Sequence, residues 1–350
     1  MSNNDVLLAV QALKRGELVA FPTETVYGLG ADATNKNALN RLYTVKGRPQ
    51  SHPVIVHLAS FEHISKWASY VPEEALILAR AFCPGPLTFI LKRSGCVLNE
   101  VTGGQDTVGL RIPAHPLALE LLEAFGGGIA APSANKFGKV STTTADDVKL
   151  ELGNEVSVVL DGGACPVGIE STIIDLSSSR IKVLRPGMIF REQIEEVLGF
   201  NLDEHELKIP PAYSTQTKST DASQTTQTSS IRVPGGLPSH YAPNTPLKLL
   251  EGHEIPGFIC DLDLNSHTVG LLHYSNIDKI FNNKSNRYPI DRIISRRADS
   301  DPHKFAQDLY SNIRFLDKSK SQLIIVETPP KTSAWTAILD RLYRASAKTN

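Results

Sequence analysis

The chain has 350 residues, 41% of them hydrophobic and 21% charged. Its 36 Lys and Arg face 37 Asp and Glu, a net charge of −1, which argues against a strongly basic nucleic-acid binder and against an acidic disordered chain. At roughly 150 residues per domain, the length predicts about two domains, each able to bury a core without covalent staples. Cys83, Cys96, Cys165 and Cys260 show no CxxC spacing and no zinc-type His neighbours, so free thiols in a reducing compartment are expected. Asp5 precedes the first apolar stretch and Lys14, Arg15 and Glu17 follow it, which does not read as a signal peptide. No run of about 18 apolar residues occurs. A cytoplasmic protein without membrane contact is the expectation.

Val6, Leu7, Val10 and Leu13 recur at helical spacing, with Gly16 as the stop. LVAF (18–21) reads as a short buried strand, 35–45 as a helix with Leu39, Leu42 and Tyr43 inward, VIVHL (54–58) as a strand, and 72–82 as a helix opened by Pro72. LTFILK, TVGLRI, SVVLD and STIIDL follow as strands, with helices at 116–125 and 190–198. This pattern predicts an α/β catalytic domain over 1–207 with a mixed sheet. At 212–230, 14 of 19 residues are Ser, Thr or Gln, too polar to bury, so 208–244 reads as a flexible linker. Beyond it, GFICDLD, TVGLLHY and SQLIIVE read as central strands. Residues 302–317 read as a helix with Phe305, Leu309, Ile313 and Leu316 inward, and 333–346 as a terminal helix. A smaller Rossmann-like accessory domain over 245–350 fits, though no GxGxxG is present. Residues 1–210 carry net charge −5 and residues 211–350 carry +4.

The common hydrolase and nucleotide motifs GxxxxGK[ST], GxSxG and HExxH are all missing. What remains is a set of short polar motifs. PTETVYGLG (22–30) puts Thr23, Glu24 and Thr25 after a strand, where α/β sheets bind ligands, although an ordinary strand-to-helix loop reads the same way. In KGRP, Lys46 and Arg48 close a helix that Pro49 stops; they either complement its dipole or grip a polyphosphate. His57 and Arg111 sit inside apolar strands. A buried Arg needs a carboxylate or phosphate partner, from the protein or from a ligand. GIAAPSANKFGKVS (128–141) offers small residues with Ser133, Asn135 and Ser141 as donors, and GIESTIID and RPG place Ser171 and Arg185 at strand ends. No carboxylate dyad, Ser-His-Asp set or Cys-His set accompanies them, which points to positioning and charge stabilisation of an anionic ligand.

In this order PTETVYGLG, KGRP, LRIPAHP, APSAN, GIESTIID and RPG resemble the YrdC-type domain of threonylcarbamoyl-AMP synthases. SHYAP (239–243) and the terminal AILDRLYRAS extend the resemblance to the long, two-domain form. The resemblance implies a YrdC-type twisted mixed sheet. It also implies the synthesis of threonylcarbamoyl-AMP from L-threonine, bicarbonate and ATP with Mg²⁺, a nucleotidyl transfer that releases pyrophosphate. The product would pass to a tRNA threonylcarbamoyl transferase that modifies the adenosine beside the anticodon. By resemblance, L-threonine is held by Thr25, His57, Arg111, backbone near Ala131, and Ser171. ATP is held by Lys46, Arg48, Thr107, Ser133, Asn135, Ser141 and Arg185, with Lys46 and Arg48 as the catalytic cations. His52 stands where the family often has Asn, and Tyr241 is inferred to reach back to the nucleotide from the segment that closes over the site. No metal-binding side chains are expected. Two other readings compete. An RNA-binding module is opposed by the net −5 of the first domain, while Arg292, Arg296 and Arg297 in the second leave room for weak tRNA contact. Carbamoyl transfer would need zinc-finger cysteines that the chain lacks.

Overall fold

The computed structural model describes residues 3–205, 231–237, 239–262, 268–281 and 290–347. The Ser/Thr/Gln-rich stretch 212–230 lies outside the described residues. Nine strands form the first sheet: β1 (Val19–Phe21), β2 (Gly28–Asp32), β3 (Ile55–His57), β4 (Leu87–Lys92), β5 (Thr107–Arg111), β6 (Ile129–Ala130), β7 (Val158–Val159), β8 (Thr172–Asp175) and β9 (Lys182–Arg185). Their order is β7-β1-β2-β6-β3-β5-β4-β8-β9, a mixed sheet as the alternating pattern predicts. A second sheet, β10 (Leu247–Leu250), β11 (Val269–His273), β12 (Ile293–Arg297) and β13 (Leu323–Glu327), is parallel and ordered β10-β13-β11-β12.

Side chains alternate across each strand, so one face of the large sheet buries Leu18, Ala20, Leu29, Val54, Val56 and Leu110 beneath helices that include Lys36–Lys46. On the other face, Val19, Phe21 and Ile129 pack under the helices Asn3–Lys14 and Pro116–Phe125. The same face carries Ile55, Ile90 and Ile173, packed against Leu184, Ile231 and Val233. Asn35 caps the helix Lys36–Lys46 by accepting from the backbone N–H of Asn37 and Ala38. Gly47 at φ +63° ends it with the cap N–H bonded back to Tyr43 and Thr44. The stop is therefore Gly47, two residues before the Pro49 that the sequence suggested.

Three further expectations change. Leu7 is 55% exposed; Val6, Ala9, Val10, Ala12 and Leu13 form the inner stripe of the first helix. The second half of PTETVYGLG is strand β2 rather than loop. GFIC belongs to the helix Ile255–Cys260, which has Pro in its first turn, because a short apolar run carries no periodicity that separates helix from strand. Strand β10, which the sequence reading missed, fills that place in the second sheet. Arg296, on edge strand β12, lies over the Phe315 ring at 4.3 Å. Among the described residues, no helix is long and apolar enough to cross a membrane.

The two sheets share a core. Val26, Val140, Ile169, Met188 and Tyr241 belong to the same apolar cluster as Leu309, Tyr310, Ile313, Leu316 and Trp335. Gly168, at φ +80°, lies so close to the backbone of Ala306 and Gln307 that a Cβ would not fit. Arg314 bonds the carbonyls of Val140 and Ser141 and pairs with Glu151 at 3.2 Å. Such a continuous core predicts that the sheets unfold together. The chain has two tryptophans, Trp67 in the first core and Trp335 in the shared one, both buried. Fluorescence of the single-tryptophan variants Trp67→Phe and Trp335→Phe is expected to give coincident denaturant midpoints; distinct midpoints would show separable domains.

Candidate active site

A cleft of about 520 Å³, counting its open mouth, lies on the second face of the large sheet. Ile55 and His57, two residues apart on β3, point into it, and Arg111 pairs with His57 across the parallel β3–β5 register. The site therefore sits over the sheet face and is not confined to the strand ends that the motifs suggested. Thr25, Ala131, Ser133, Ser171, Arg48, Arg185 and Tyr241 also line it. Lys46, His52, Thr107, Asn135 and Ser141 do not line the cleft. Three of these stand directly behind it. Lys46 Nζ donates to the carbonyls of Ser133 and Asn135, and Ser141 Oγ donates to lining residue Glu170 at 2.6 Å. His52 meets the Phe137 ring edge-on at 5.4 Å and its carbonyl accepts from Arg48 Nε at 3.3 Å. Thr107 begins β5, four residues from Arg111, at the far end of that strand.

The cations divide into two kinds. Arg111 is neutralised: its Nη2 donates to Glu24 at 2.6 Å, Nη1 to Thr25 Oγ1 at 2.9 Å and Nε to the Gly85 carbonyl at 3.4 Å. Glu24 completes its own set by accepting from the Ala114 N–H. Lys46, Arg48 and Arg185 are equally buried, yet among the described residues none has a carboxylate within ion-pair distance. Backbone carbonyls hold them instead. Arg48 Nη2 donates to Pro53, and Arg185 donates to the Ser171 carbonyl through Nε and Nη2 and to Pro234 through Nη1. Burial, and then Arg48, push the Lys46 ammonium well below its ordinary value. Burial brings Arg48 down to about 10 and lowers Arg185 as well. Holding positive charge in a dry site without counter-charge is costly unless an anion arrives.

Four buried side-chain atoms among the described residues lack any hydrogen-bond partner: His57 Nδ1, Asn135 Oδ1, His240 Nδ1 and Tyr241 Oη. Three belong to residues lining the cleft, and the fourth to the residue whose carbonyl holds Lys46. Buried polar groups are rarely orphaned, so their clustering here makes this cleft the candidate ligand site. Tyr241 adopts φ +62°, in the left-handed region that a non-glycine residue seldom occupies. Its hydroxyl lies against Gly235 so closely that a Cβ there would not fit. Sequence reasoning missed Glu170 and His240 as members of the site, and named Glu24 only within its motif, without its partner Arg111. His240 stood inside the quoted SHYAP motif and Glu170 inside GIESTIID, but their partners come from distant segments.

Comparison with known proteins decides the family. A family model described as "Telomere recombination" matches residues 11–187, and one described as "Threonylcarbamoyl-AMP synthase, C-terminal domain" matches residues 189–347. The threonylcarbamoyl-AMP synthase of Pyrococcus abyssi is 36% identical over 97% of this chain and 94% of its own length. That of Bacillus subtilis is 37% identical over 99% and 94%. The chain belongs to the threonylcarbamoyl-AMP synthase family. A crystal structure of P. abyssi Sua5 complexed with L-threonine superposes with a TM-score of 0.81 at 36% identity, covering 97% of this chain and 94% of that one. The two-sheet architecture is thus that of the family, second domain included.

Two predictions follow from the charges. Lys46→Met removes a buried cation that no carboxylate among the described residues balances but also two bonds to carbonyls, so it is expected to cost less stability than Arg111→Met. Arg111→Met strands the buried Glu24 carboxylate and should cost about 3–5 kcal/mol in denaturant unfolding. Equal losses in both variants would contradict the division between the two kinds of cation. The second prediction concerns pH. Burial, then Arg111, bring His57 from 6.5 down to about 3, and burial does the same to His240 despite Glu170 nearby. Between those values the unfolded chain binds protons that the folded chain refuses, so stability falls as pH drops from 7 to 5. The two histidines together contribute at most about 2.7 kcal/mol per pH unit. Denaturant titrations at several pH values should show a shallower slope for His57→Gln; an unchanged slope would show that His57 is not held neutral.

Proposed function

We propose that the protein is an L-threonylcarbamoyl-AMP synthase, a nucleotidyltransferase that condenses L-threonine, bicarbonate and ATP and releases pyrophosphate. The observation that carries this reading is a trio of buried cations that pair with no carboxylate among the described residues: Arg48 and Arg185 in the lining of one cleft, and Lys46 directly behind it. Such a site suits a polyphosphate.

L-Threonine would lie beside Thr25, His57, Ser171 and the backbone near Ala131. Three of the five guanidinium N–H groups of Arg111 are committed within the protein. The two left, one on each terminal nitrogen, would be free to donate to the amino-acid carboxylate. Glu24 thus aims Arg111 instead of competing for the whole of it. ATP would take Lys46, Arg48, Ser133, Asn135, Ser141, Arg185 and Tyr241, with Thr107 and His52 at the periphery. The threonine amine and bicarbonate give N-carboxythreonine with loss of water. Its carboxylate oxygen attacks the α-phosphorus, that P–O bond forms, and the bond to the departing pyrophosphate breaks. Such a transfer asks the protein for alignment and charge neutralisation and needs no enzyme nucleophile. Arg48, which lines the cleft, and Lys46, which stands behind it, would stabilise the negative charge that builds on the phosphates.

Two carboxylates bear on Mg²⁺: Glu170 in the lining of the cleft, and Glu24, paired with the lining residue Arg111. Glu24 and Glu170 both have their two oxygens engaged by protein donors. Among the described residues no three His, Cys, Asp or Glu side chains converge as a metal site. This donor set fits a Mg²⁺ that enters on the triphosphate and keeps its waters, as magnesium does in many nucleotide sites. When bound, it would supply further neutralisation of phosphate charge. The product would pass, in the cytoplasm, to a tRNA threonylcarbamoyl transferase, with little or no direct tRNA contact by this chain.

Pyrophosphate release from ATP and Mg²⁺ is expected to require L-threonine and bicarbonate together; release with either one omitted would sink the reading. Lys46→Met should lower turnover at least 100-fold, about 2.7 kcal/mol of barrier, without loss of fold. Tyr241→Ala should slow turnover or release the labile adenylate to solvent, and unchanged kinetics would remove Tyr241 from the nucleotide site.

A further inference from the structure

The most deeply buried charged side chain near the cleft is not part of the large sheet at all. Arg341, 1% exposed, comes from the terminal helix Thr336–Ser346. Its Nε donates to Glu170 Oε2 at 2.9 Å, its Nη2 to the Pro186 carbonyl at 3.0 Å, and its Nη1 to Asp340 at 2.6 Å. Tyr310, from the helix Pro302–Lys318, donates to the same Glu170 oxygen at 2.8 Å. The other Glu170 oxygen accepts from Ser141. Tyr241 lies between these two groups: its ring stacks on Tyr310 at 5.9 Å and carries the Arg341 guanidinium 5.2 Å from its centre. The terminal helix grips the same segment again, since Arg344 donates to the Leu237 carbonyl and accepts from the His240 N–H through its own carbonyl.

Resting on the synthase reading, we propose that Arg341 is a positioning residue for the nucleotide half of the site, acting across the domain boundary through Glu170 and Tyr241. Most of the groups it aims belong to that half; Ser171, on the threonine side, is reached only indirectly, through Arg185. Ser141 is set through Glu170, Arg185 through the adjoining Pro186 carbonyl, and Tyr241 by direct contact. The threonine-side groups Thr25, His57 and Arg111 receive no hydrogen bond from it. An ordered Tyr241 at φ +62° needs surroundings that over-determine it, and the second domain supplies them. The second domain is then a structural part of the ATP site. Its fork of guanidinium bonds is one that lysine, with a point charge, does not reproduce.

The test uses the full chain and calorimetric affinities for ATP and for L-threonine, with turnover measured alongside. Arg341→Lys is expected to weaken ATP at least tenfold while L-threonine stays within twofold of wild type. In a Tyr241→Ala background the same substitution should cost less ATP affinity than it does in the wild type, because its contact with Tyr241 is already lost while those with Glu170 and Pro186 remain. Unchanged ATP affinity, equal weakening of both ligands, or effects that multiply in the double variant would each overturn the proposal. Should Arg341→Lys fail to fold by circular dichroism, Tyr310→Phe replaces it, with about threefold weaker ATP expected and no effect on L-threonine. Wild-type turnover separates the two readings: no pyrophosphate from the wild type with all three substrates defeats the synthase reading, while the binding arms still decide the role of Arg341.

Discussion

Positive charge held in a dry cleft is the constraint around which this molecule is arranged. Lys46, Arg48, Arg111 and Arg185 all lose their hydration, and among the described residues only Arg111 has a carboxylate in ion-pair contact. The other three are steadied by carbonyl oxygens, which orient a cation without cancelling its charge. That arrangement raises the free energy of the unliganded protein. It leaves their charge unspent on protein carboxylates, which is what the proposed polyphosphate site requires.

The neutral members of the site follow from the same constraint. His57 and His240 stay unprotonated because adding charge beside these cations in a buried place is unfavourable. Glu170 does the reverse. Burial alone would raise its carboxyl, but Arg341, Arg185 and the bond from Ser141 outweigh burial and hold it near 2. It is thus a permanent anion whose oxygens are all spent on aligning protein groups. Glu24 plays the matching part for Arg111.

This accounts for the shared core. A first domain alone would leave the face of the sheet around Val26, Val140 and Ile169 open to water, and Glu170 without Arg341 and Tyr310. Packing the second sheet there dries the site and fixes the backbone of residues 239–241, which carry two of the four orphaned atoms. Exclusion of water would protect the labile mixed anhydride if, as proposed, this cleft is where it forms.

Much of this was legible in the chain. Alternating periods of two and 3.6 residues marked most strands and helices of the first domain, since each buries one face. The isolated Arg111 in an apolar strand announced a buried partner, and Thr25, His57, Ser133, Ser171 and Arg185 stood in recognisable motifs that the fold brings to one cleft. Short-range patterns fell short where packing overrides them: Leu7 faces outward, and Ile255–Cys260 coils into a helix. What only the tertiary structure decided is pairing across distance. That Arg111 meets Glu24, that Arg341 meets Glu170 some 170 residues away, and that Lys46 meets no carboxylate among the described residues all depend on which surfaces the sheets bury together. Sequence records the residue types and the local spacing, whereas the partner of a buried charge is set by three-dimensional packing, because desolvation makes an interaction strong only where the fold excludes water.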